Sequence, residues 1–261
     1  MRLGIILLLL LVSCDNTSGD SNKERQLIWQ DEFDGAAGQL PDASRWTYDI
    51  GTDWGNRQLE YDTDRPENVS LDGNGHLAIT ARKESYEGAS YTSARILTRG
   101  LYARAYGRFE ARMQLPSGQG LWPAFWMLGA NFSQVGWPDC GEIDIMEYRG
   151  QQPSVVHGSL HGPGYSAGEA VTRSYTLPGG RFDTEFHVFA VEWERGTIKW
   201  YVDDVLYQQV VSGDLPGAWV YDHPFFIILN LAVGGTFVGP PDESTEFPQT
   251  LLVDWVRVYA P

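Results

Sequence analysis

The chain has 261 residues, enough for one large domain with a substantial core, and its 43% apolar content excludes a disordered polypeptide. Its formal net charge of −15 disfavours binding to nucleic acid or to anionic lipid. Ten tryptophans and 13 tyrosines are a heavy aromatic load, which can fill a core and can also line a binding surface.

The amino terminus has the pattern of an export signal. Met1-Arg2 precedes an apolar run, Leu3 to Val12, that is too short to span a bilayer as a helix. The run ends in Leu11-Val12-Ser13-Cys14, which resembles the lipobox of bacterial lipoproteins. Residues 1–13 would then be a signal peptide, and residues 14–26 a flexible tether that begins with a lipidated Cys14. This predicts an exported protein anchored at the bacterial cell envelope, facing the periplasm or the outside; an ordinary signal peptide with an incidental cysteine is the alternative.

From residue 27 onward, nearly every segment is a short apolar or alternating run bounded by Gly, Pro, Asn or Asp. Thr197 to Val202 and Val205 to Val210 form the pattern of a hairpin that turns at Asp203-Asp204. No segment has a helical period longer than a few turns. The pattern predicts a single all-β domain over residues 27–261, a β-sandwich or jelly roll. Clear strand candidates are His76 to Ala81, Gly107 to Met113, Phe186 to Trp193, Phe225 to Leu231 and Leu251 to Tyr259.

Three carboxylates, Glu142, Asp144 and Glu147, lie in a run otherwise typical of a strand. On a regular strand Glu142 and Asp144 share one face, and Glu147 lies on the other. A one-residue β-bulge near Met146 would return Glu147 to the face of the first two. Like charges on one face disfavour ionisation, so at least one acid should keep its proton to a higher pH. A protonated carboxyl beside an ionised one is what glycoside hydrolysis requires; an exposed acidic face or a calcium site is the alternative.

The run Gly141 to Glu147, preceded by Trp137-Pro138, resembles the active-site strand of glycoside hydrolase family 16, in its laminarinase (endo-β-1,3-glucanase) branch. Similar segments extend from about Trp29 to Tyr259. The resemblance implies a concanavalin A-like jelly roll of two curved antiparallel sheets with a concave substrate cleft. It also implies retaining hydrolysis of internal β-1,3 or β-1,3/1,4 linkages in laminarin-type β-glucans, with no cofactor required.

The same resemblance assigns roles around the cleft. Glu142 would be the nucleophile, Glu147 the acid/base, and Asp144 the residue that hydrogen-bonds Glu142 and sets the proton distribution. Two further roles follow from the residues themselves: His161, on the strand after the acids, would hydrogen-bond the acids or the substrate, and Asn230, a polar residue in an apolar strand, would meet the backbone or line the cleft. The residues predicted to bind substrate are Trp54, Asn56, Arg82, Trp122, Trp126, Trp137, His161 and Asn230.

Members of the family often carry a calcium ion on the convex side. The resemblance would make Asp254 its side-chain ligand, with the backbone carbonyls of Glu32 and Gly75; a salt bridge or cap made by Asp254 is the alternative. The predicted partner is a β-glucan polysaccharide or oligosaccharide, bound by a monomer that contacts a membrane only through its lipid. A glycosidase of the same family acting on an algal galactan, agar or carrageenan, is one rival function. A non-catalytic β-glucan-binding lectin is the other, although a lectin would be expected to lose one or both glutamates.

Overall fold

The computed structural model describes residues 25–261, so the predicted signal peptide, Cys14 and most of the tether lie outside the described residues. Within that range the chain is almost entirely β-structure, with one short helix, α1 (Phe132–Val135), and two 3-10 turns, Ala167–Glu169 and Ser212–Asp214. No helix among these residues is long and apolar enough to cross a membrane. The strands are β1 (Leu27–Asp31), β2 (Thr47–Asp49), β3 (Glu60–Asp62), β4 (Val69–Leu71), β5 (Leu77–Tyr86), β6 (Ala89–Ser93), β7 (Arg95–Leu97), β8 (Gly107–Gln114), β9 (Leu121–Gly129), β10 (Glu142–Tyr148), β11 (Val155–His161), β12 (Val171–Thr176), β13 (His187–Glu194), β14 (Thr197–Val202), β15 (Val205–Val211), β16 (Phe225–Val233) and β17 (Gln249–Tyr259).

Two sheets share these strands. The larger sheet has ten strands, in the order β15-β14-β13-β8-β17-β5-β6-β3, with β1 paired to β17 and β4 paired to β5. The smaller sheet has seven strands, in the order β12-β11-β10-β9-β16-β7-β2. Neighbouring strands run antiparallel except β3 and β6, which pair in parallel. The predicted jelly roll is confirmed, with this one parallel pair as a local exception to its antiparallel sheets.

The core fills the space between the sheets. Strand side chains alternate between two faces, so each sheet turns one apolar face inward. Phe109 and Trp193 from the ten-stranded sheet, and Phe125 and Ile227 from the seven-stranded sheet, are all completely buried. The acids of β10 therefore project from the other side of the seven-stranded sheet, which we call the cleft face.

Several predicted elements are found at the expected positions. The hairpin of β14 and β15 turns at Asp203 and Asp204, both with positive φ (48° and 62°), as a tight two-residue hairpin turn requires. The first and last described strands, β1 and β17, pair with each other. β5 runs five residues beyond the predicted Ala81, because its second half pairs with β6. The first and last described strands thus lie next to each other in the ten-stranded sheet, away from the cleft face.

Candidate active site

A β-bulge in β10 sets the direction of the three acids. Asp144 lies opposite Trp126 of β9, and Met146 lies opposite the next residue, Phe125, so Ile145 is the extra residue of the bulge. Ile145 and Met146 are both buried in the core. Two consecutive inward side chains restore Glu147 to the cleft face with Glu142 and Asp144. The bulge expected from the spacing of the acids is confirmed.

Trp200 of the opposite sheet supports the backbone at this bulge. Its indole Nε1 donates a 2.8 Å hydrogen bond to the backbone carbonyl of Asp144, and its ring is completely buried. A Cβ atom on Gly158 of β11 would lie 2.5 Å from that ring, so the close approach requires glycine there. The indole thereby supplies a hydrogen-bond partner for the Asp144 carbonyl at the bulge. Left without a partner, a buried carbonyl would cost about 1–3 kcal/mol.

Each glutamate accepts a hydrogen bond from its own tryptophan. Trp137 Nε1 lies 3.0 Å from Glu142 Oε2, and Trp122 Nε1 lies 3.1 Å from Glu147 Oε1. Trp137 is 44% exposed, whereas Trp122 is 9% exposed. The two carboxylates are therefore oriented by indole donors on different elements, one outside the sheet and one within β9.

His161 of β11 faces Asp144 and Glu142. Its Nε2 lies 3.0 Å from Asp144 Oδ2 and 3.7 Å from Glu142 Oε1. Its Nδ1 accepts a 3.1 Å hydrogen bond from the backbone N–H of Ala167. Since Nδ1 is used as an acceptor, the ring proton is on Nε2, toward the carboxylates. This position confirms the proximity of His161 to the acids expected from the sequence.

Burial raises the pKa of all three acids. The pKa of Glu142, of Asp144 and of Glu147 each rises to about 8, with loss of hydration as the main cause. The charge of Asp144 raises the pKa of both glutamates further. Arg95 and His161 act in the opposite direction on Glu142. The cluster therefore retains protons up to neutral pH, as the spacing of the acids predicted for at least one of them.

Asn230 orients Trp126 on the cleft face. Its Oδ1 accepts a 2.8 Å hydrogen bond from Nε1 of Trp126, the side chain opposite Asp144 across β9 and β10. Trp126 is partly exposed, while Asn230 is only 6% exposed. Asn230 was expected either to meet the backbone or to line the cleft, and the structure shows it on the cleft face with a side-chain partner.

Arg95 of β7 is a site residue that sequence reasoning missed. Its guanidinium lies 4.8 Å from the ring centroid of Trp126 and 5.1 Å from that of Trp54, so it stacks between the two rings. Its Nε lies 3.2 Å from Asp49 Oδ2. The signal was a lone charge between Ala94 and Ile96 in a strand, which a half-buried sheet face would not normally carry.

The loop before β3 reaches the same end of the cleft. The ring of Trp54 stacks on Arg95 at this end, whereas the side chain of Asn56 is exposed at the rim. The backbone carbonyl of Asn56 accepts a 2.9 Å hydrogen bond from the N–H of Thr236, which follows β16. Both residues thus lie at the end of the cleft that Arg95 occupies, and their contact with substrate stays a prediction.

The position of Arg82 corrects its predicted contact with sugar. Leu77, Ile79 and Ala81 of β5 point into the core, so Arg82 points outward from the ten-stranded sheet. Its partner across the strand pair is Thr92 of β6, a buried residue. The structure does not bring Arg82 to the acids, because it lies on the opposite side of the sandwich.

The residues predicted to bind calcium have other partners. Asp254 forms an ion pair with Arg112, and the Glu32 carboxylate accepts two 2.8 Å hydrogen bonds from Arg257. The salt-bridge alternative for Asp254 is therefore what the structure shows. Gly75 and Glu32 would offer only carbonyl oxygens, so this donor set fits calcium weakly and the ion stays a prediction. Among the described residues, the side-chain group with metal-ligand geometry is Glu142, Asp144 and His161, which belongs to the acid cluster.

Cys140 is a packing residue beside this cluster. Its side chain is completely buried, and burial raises the pKa of the thiol to about 11. A thiol with that pKa is almost entirely protonated at neutral pH and is a poor nucleophile. The carboxylates are thus the reactive groups of the site.

Comparison with known proteins agrees with this geometry. Residues 52–257 match the model of glycosyl hydrolases family 16. A β-glucanase from Rhodothermus marinus is 45% identical over 99% of this chain and 94% of its own. The laminarinase catalytic domain from Thermotoga maritima MSB8 superimposes with a TM-score of 0.86 at 47% identity, covering 91% of this chain and 98% of the other. An endo-β-1,3-glucanase from Pyrococcus furiosus also gives 0.86, at 46% identity over 90% and 94%. The chain belongs to glycosyl hydrolase family 16.

Proposed function

We propose that this protein is a retaining endo-β-1,3-glucanase that cuts laminarin-type β-glucans within the chain. The observation that carries the proposal is the bulged strand β10, which presents Glu142, Asp144 and Glu147 on one face. Glycoside hydrolysis with retention needs two carboxyl groups close together, one able to donate a proton and one ionised. Relatives described as laminarinase and endo-β-1,3-glucanase support the choice of substrate.

The two glutamates divide the chemistry. Glu142 attacks the anomeric carbon and forms the glycosyl-enzyme, while Glu147 gives its proton to the departing glycosidic oxygen. Glu147 then takes a proton from water, whose oxygen displaces Glu142 from the anomeric carbon. The positive charge of Arg95 favours the ionised form of Glu142, which is the form that a nucleophile requires.

Asp144 and His161 tune the pair without reacting. Asp144 is 3% exposed and its charge raises the pKa of both glutamates, which keeps a proton available for Glu147. The Nε2 atom of His161 lies 3.0 Å from Asp144 and 3.7 Å from Glu142. The imidazole acts against the effect of burial on both glutamates, because it lowers the pKa of Glu142 and of Glu147.

Aromatic rings next to the acids suit a neutral sugar chain. Trp126 and Trp54 flank Arg95 on one side of the acids, and Trp137 lies exposed beside Glu142. Flat rings bind the C–H faces of glucose, and amide or charged groups bind its hydroxyls. A neutral glucan is also compatible with the net charge of −15, which would repel a sulfated polysaccharide.

The assignment of the glutamates is tested by chemical rescue. Glu142→Ala and Glu147→Ala should each nearly abolish hydrolysis of laminarin, while Glu194→Ala, an exposed residue of β13, should not. With azide and an activated aryl glucoside, Glu142→Ala should give a glycosyl azide of inverted configuration. Glu147→Ala should instead form the glycosyl-enzyme and give an azide of retained configuration. The opposite pattern would reverse the roles, and an inverted product from the wild type would refute retention.

The rival functions make different predictions in one assay panel. Release of reducing ends from laminarin should exceed release from lichenan, agarose and carrageenan. Preference for agarose or carrageenan would favour a galactanase, and comparable rates on lichenan would extend the substrate to mixed-linkage glucan. Glucan binding without any release would favour the lectin, a function that the retained and clustered acids disfavour.

We further propose that the protein is exported and anchored by lipid on Cys14. The support is the apolar run ending in Leu11-Val12-Ser13-Cys14. Mass spectrometry of protein processed in its native host should find an acylated Cys14 as the first residue. A soluble mature form that begins at another residue would refute the anchor.

A further inference from the structure

Asp62, a buried carboxylate of β3, lies behind the aromatic end of the cleft. Its side chain is 2% exposed, and its Oδ2 accepts a 2.8 Å hydrogen bond from Nε1 of Trp54. The other oxygen, Oδ1, is buried without a hydrogen-bond partner. Burying a carboxylate in this way is costly unless nearby charge compensates it, so the arrangement calls for a functional explanation.

The compensating charge is Arg95. Burial raises the pKa of Asp62 to about 7, and the hydrogen bond from Trp54 and the positive charge of Arg95 act against this rise. Burial likewise lowers the pKa of Arg95, and the charges of Asp49 and Asp62 act against that change. Arg95 in turn stacks on both Trp54 and Trp126. Asp62 is therefore hydrogen-bonded to Trp54, which stacks on Arg95, and Arg95 stacks in turn on Trp126 and pairs with Asp49.

The backbone of Asp62 also closes the loop that carries Trp54. Its N–H donates to the carbonyl of Gly51 at 2.7 Å, and its carbonyl accepts from the N–H of Gly51 at 3.1 Å. The neighbouring Glu60 is 1% exposed and accepts a 2.8 Å hydrogen bond from the backbone N–H of Val233 at the end of β16. The loop is thus held at both its ends and against the strand that carries Asn230.

We propose that Asp62 is a positioning residue for substrate binding, which fixes Trp54, and through it the stacked Arg95, as one rigid wall of the cleft without touching the glucan itself. The inference rests on the proposed glucanase function. A residue of this kind acts on binding before the chemical step, so its loss should raise KM and leave kcat nearly unchanged. Loss of general fold stability would instead lower the melting temperature without separating the two kinetic constants.

The first test compares variants of Asp62 on laminarin. Asp62→Ala should raise KM about tenfold with kcat changed less than about twofold, because one charge-assisted hydrogen bond and one buried charge are lost. Asp62→Asn should recover much of the affinity, since its amide oxygen still accepts the Trp54 N–H. The matched control is Glu110→Gln, which alters a buried carboxylate 2.6 Å from Arg108 on β8, away from the cleft, and should leave KM unchanged.

A double-mutant cycle tests whether Asp62 acts through Trp54. Trp54→Phe keeps a flat ring and removes only the N–H donor, so in that background Asp62→Ala should raise KM by less than about threefold. Fully additive effects, a change confined to kcat, or wild-type KM in Asp62→Ala would overturn the inference. If Asp62→Ala does not fold, the single variant Trp54→Phe tests the inference, because it removes the same hydrogen bond. An unchanged KM in Trp54→Phe would then overturn the inference. An inactive wild type on laminarin would refute the glucanase function instead, so the two failures are distinguishable.

Discussion

Replacing Glu147 by glutamine should abolish hydrolysis and yet stabilise the protein at neutral pH. Burial raises the pKa of Glu147 from 4.5 to about 8. In the unfolded chain this carboxyl loses its proton near pH 4.5, whereas in the folded protein it loses it near pH 8. The stability that the group contributes is therefore complete below pH 4.5 and is lost as the pH rises through 8.

The magnitude follows from the pH interval. One such group reduces the free energy of unfolding by about 1.4 kcal/mol per pH unit, or about 3 kcal/mol between pH 4.5 and pH 7. Glu142 and Asp144 share protons with Glu147, so we expect a gain of about 1–3 kcal/mol from Glu147→Gln at pH 7. Glutamine keeps the acceptor for Trp122 Nε1, which lies 3.1 Å from Glu147 Oε1 in the wild type.

Thermal unfolding followed by calorimetry from pH 4.5 to pH 8 measures this effect. Each kcal/mol corresponds to about 2–4 °C in Tm for a domain of this size. The gain of Glu147→Gln should grow with pH and nearly vanish at pH 4.5, where the wild-type carboxyl is protonated as well. Glu194→Gln, at an exposed position, should show no such trend. A lower Tm at pH 7, or the same gain at both ends of the range, would refute the reasoning.

Three further predictions use the tryptophans and the bulge. Trp137→Phe removes the hydrogen-bond donor to Glu142, so the pKa of Glu142 should rise. The acidic limb of the pH profile of kcat/KM should then move to higher pH by about one unit, and an unchanged limb would show that this hydrogen bond does not affect the catalytic pKa. Trp137→Ala should leave Tm nearly unchanged because the ring is 44% exposed, whereas Trp126→Ala should lower both Tm and glucan turnover; a Tm drop of equal size in both would contradict their different burial. Deletion of Ile145 would remove the bulge but leave Asp144, Met146 and Glu147 in strict alternation, with Glu147 still on the cleft face. The variant should therefore stay soluble and keep measurable hydrolysis of laminarin, and an insoluble or inactive product in expression and activity assays would refute this interpretation of the bulge.

Much of the site could be predicted because its signals are local. The E-x-D-x-x-E spacing in β10 is incompatible with one shared face on a regular strand, so the sequence implies either a bulge or a divided set of acids. The positions of Trp122 and Trp126, four residues apart on one strand, likewise determine that both rings project from the same face of the sheet. Strand periodicity acts over a few residues and can be recognised in the chain alone.

The sequence did not determine what each outward side chain meets, since that depends on strands distant in the chain. Arg82 lies in β5 and Arg95 begins β7, and these strands belong to different sheets, so only Arg95 reaches the cleft. Asp254 similarly finds Arg112 because β17 pairs with β8, a contact between residues 142 positions apart.

The pKa values of the acids also belong to the tertiary structure. The sequence shows three like charges close together, which predicts that at least one proton is retained. The main cause of the raised pKa values is loss of hydration, and that loss depends on how neighbouring strands cover the cluster. The sequence by itself determined the strand pattern and the identity of the acids, and it limited their arrangement to a bulge or a divided set. Only the packing of two sheets decided their proton affinity, the stacking of Arg95 between two tryptophans and the burial of Asp62 behind them, because burial and long-range pairing are properties of the folded chain.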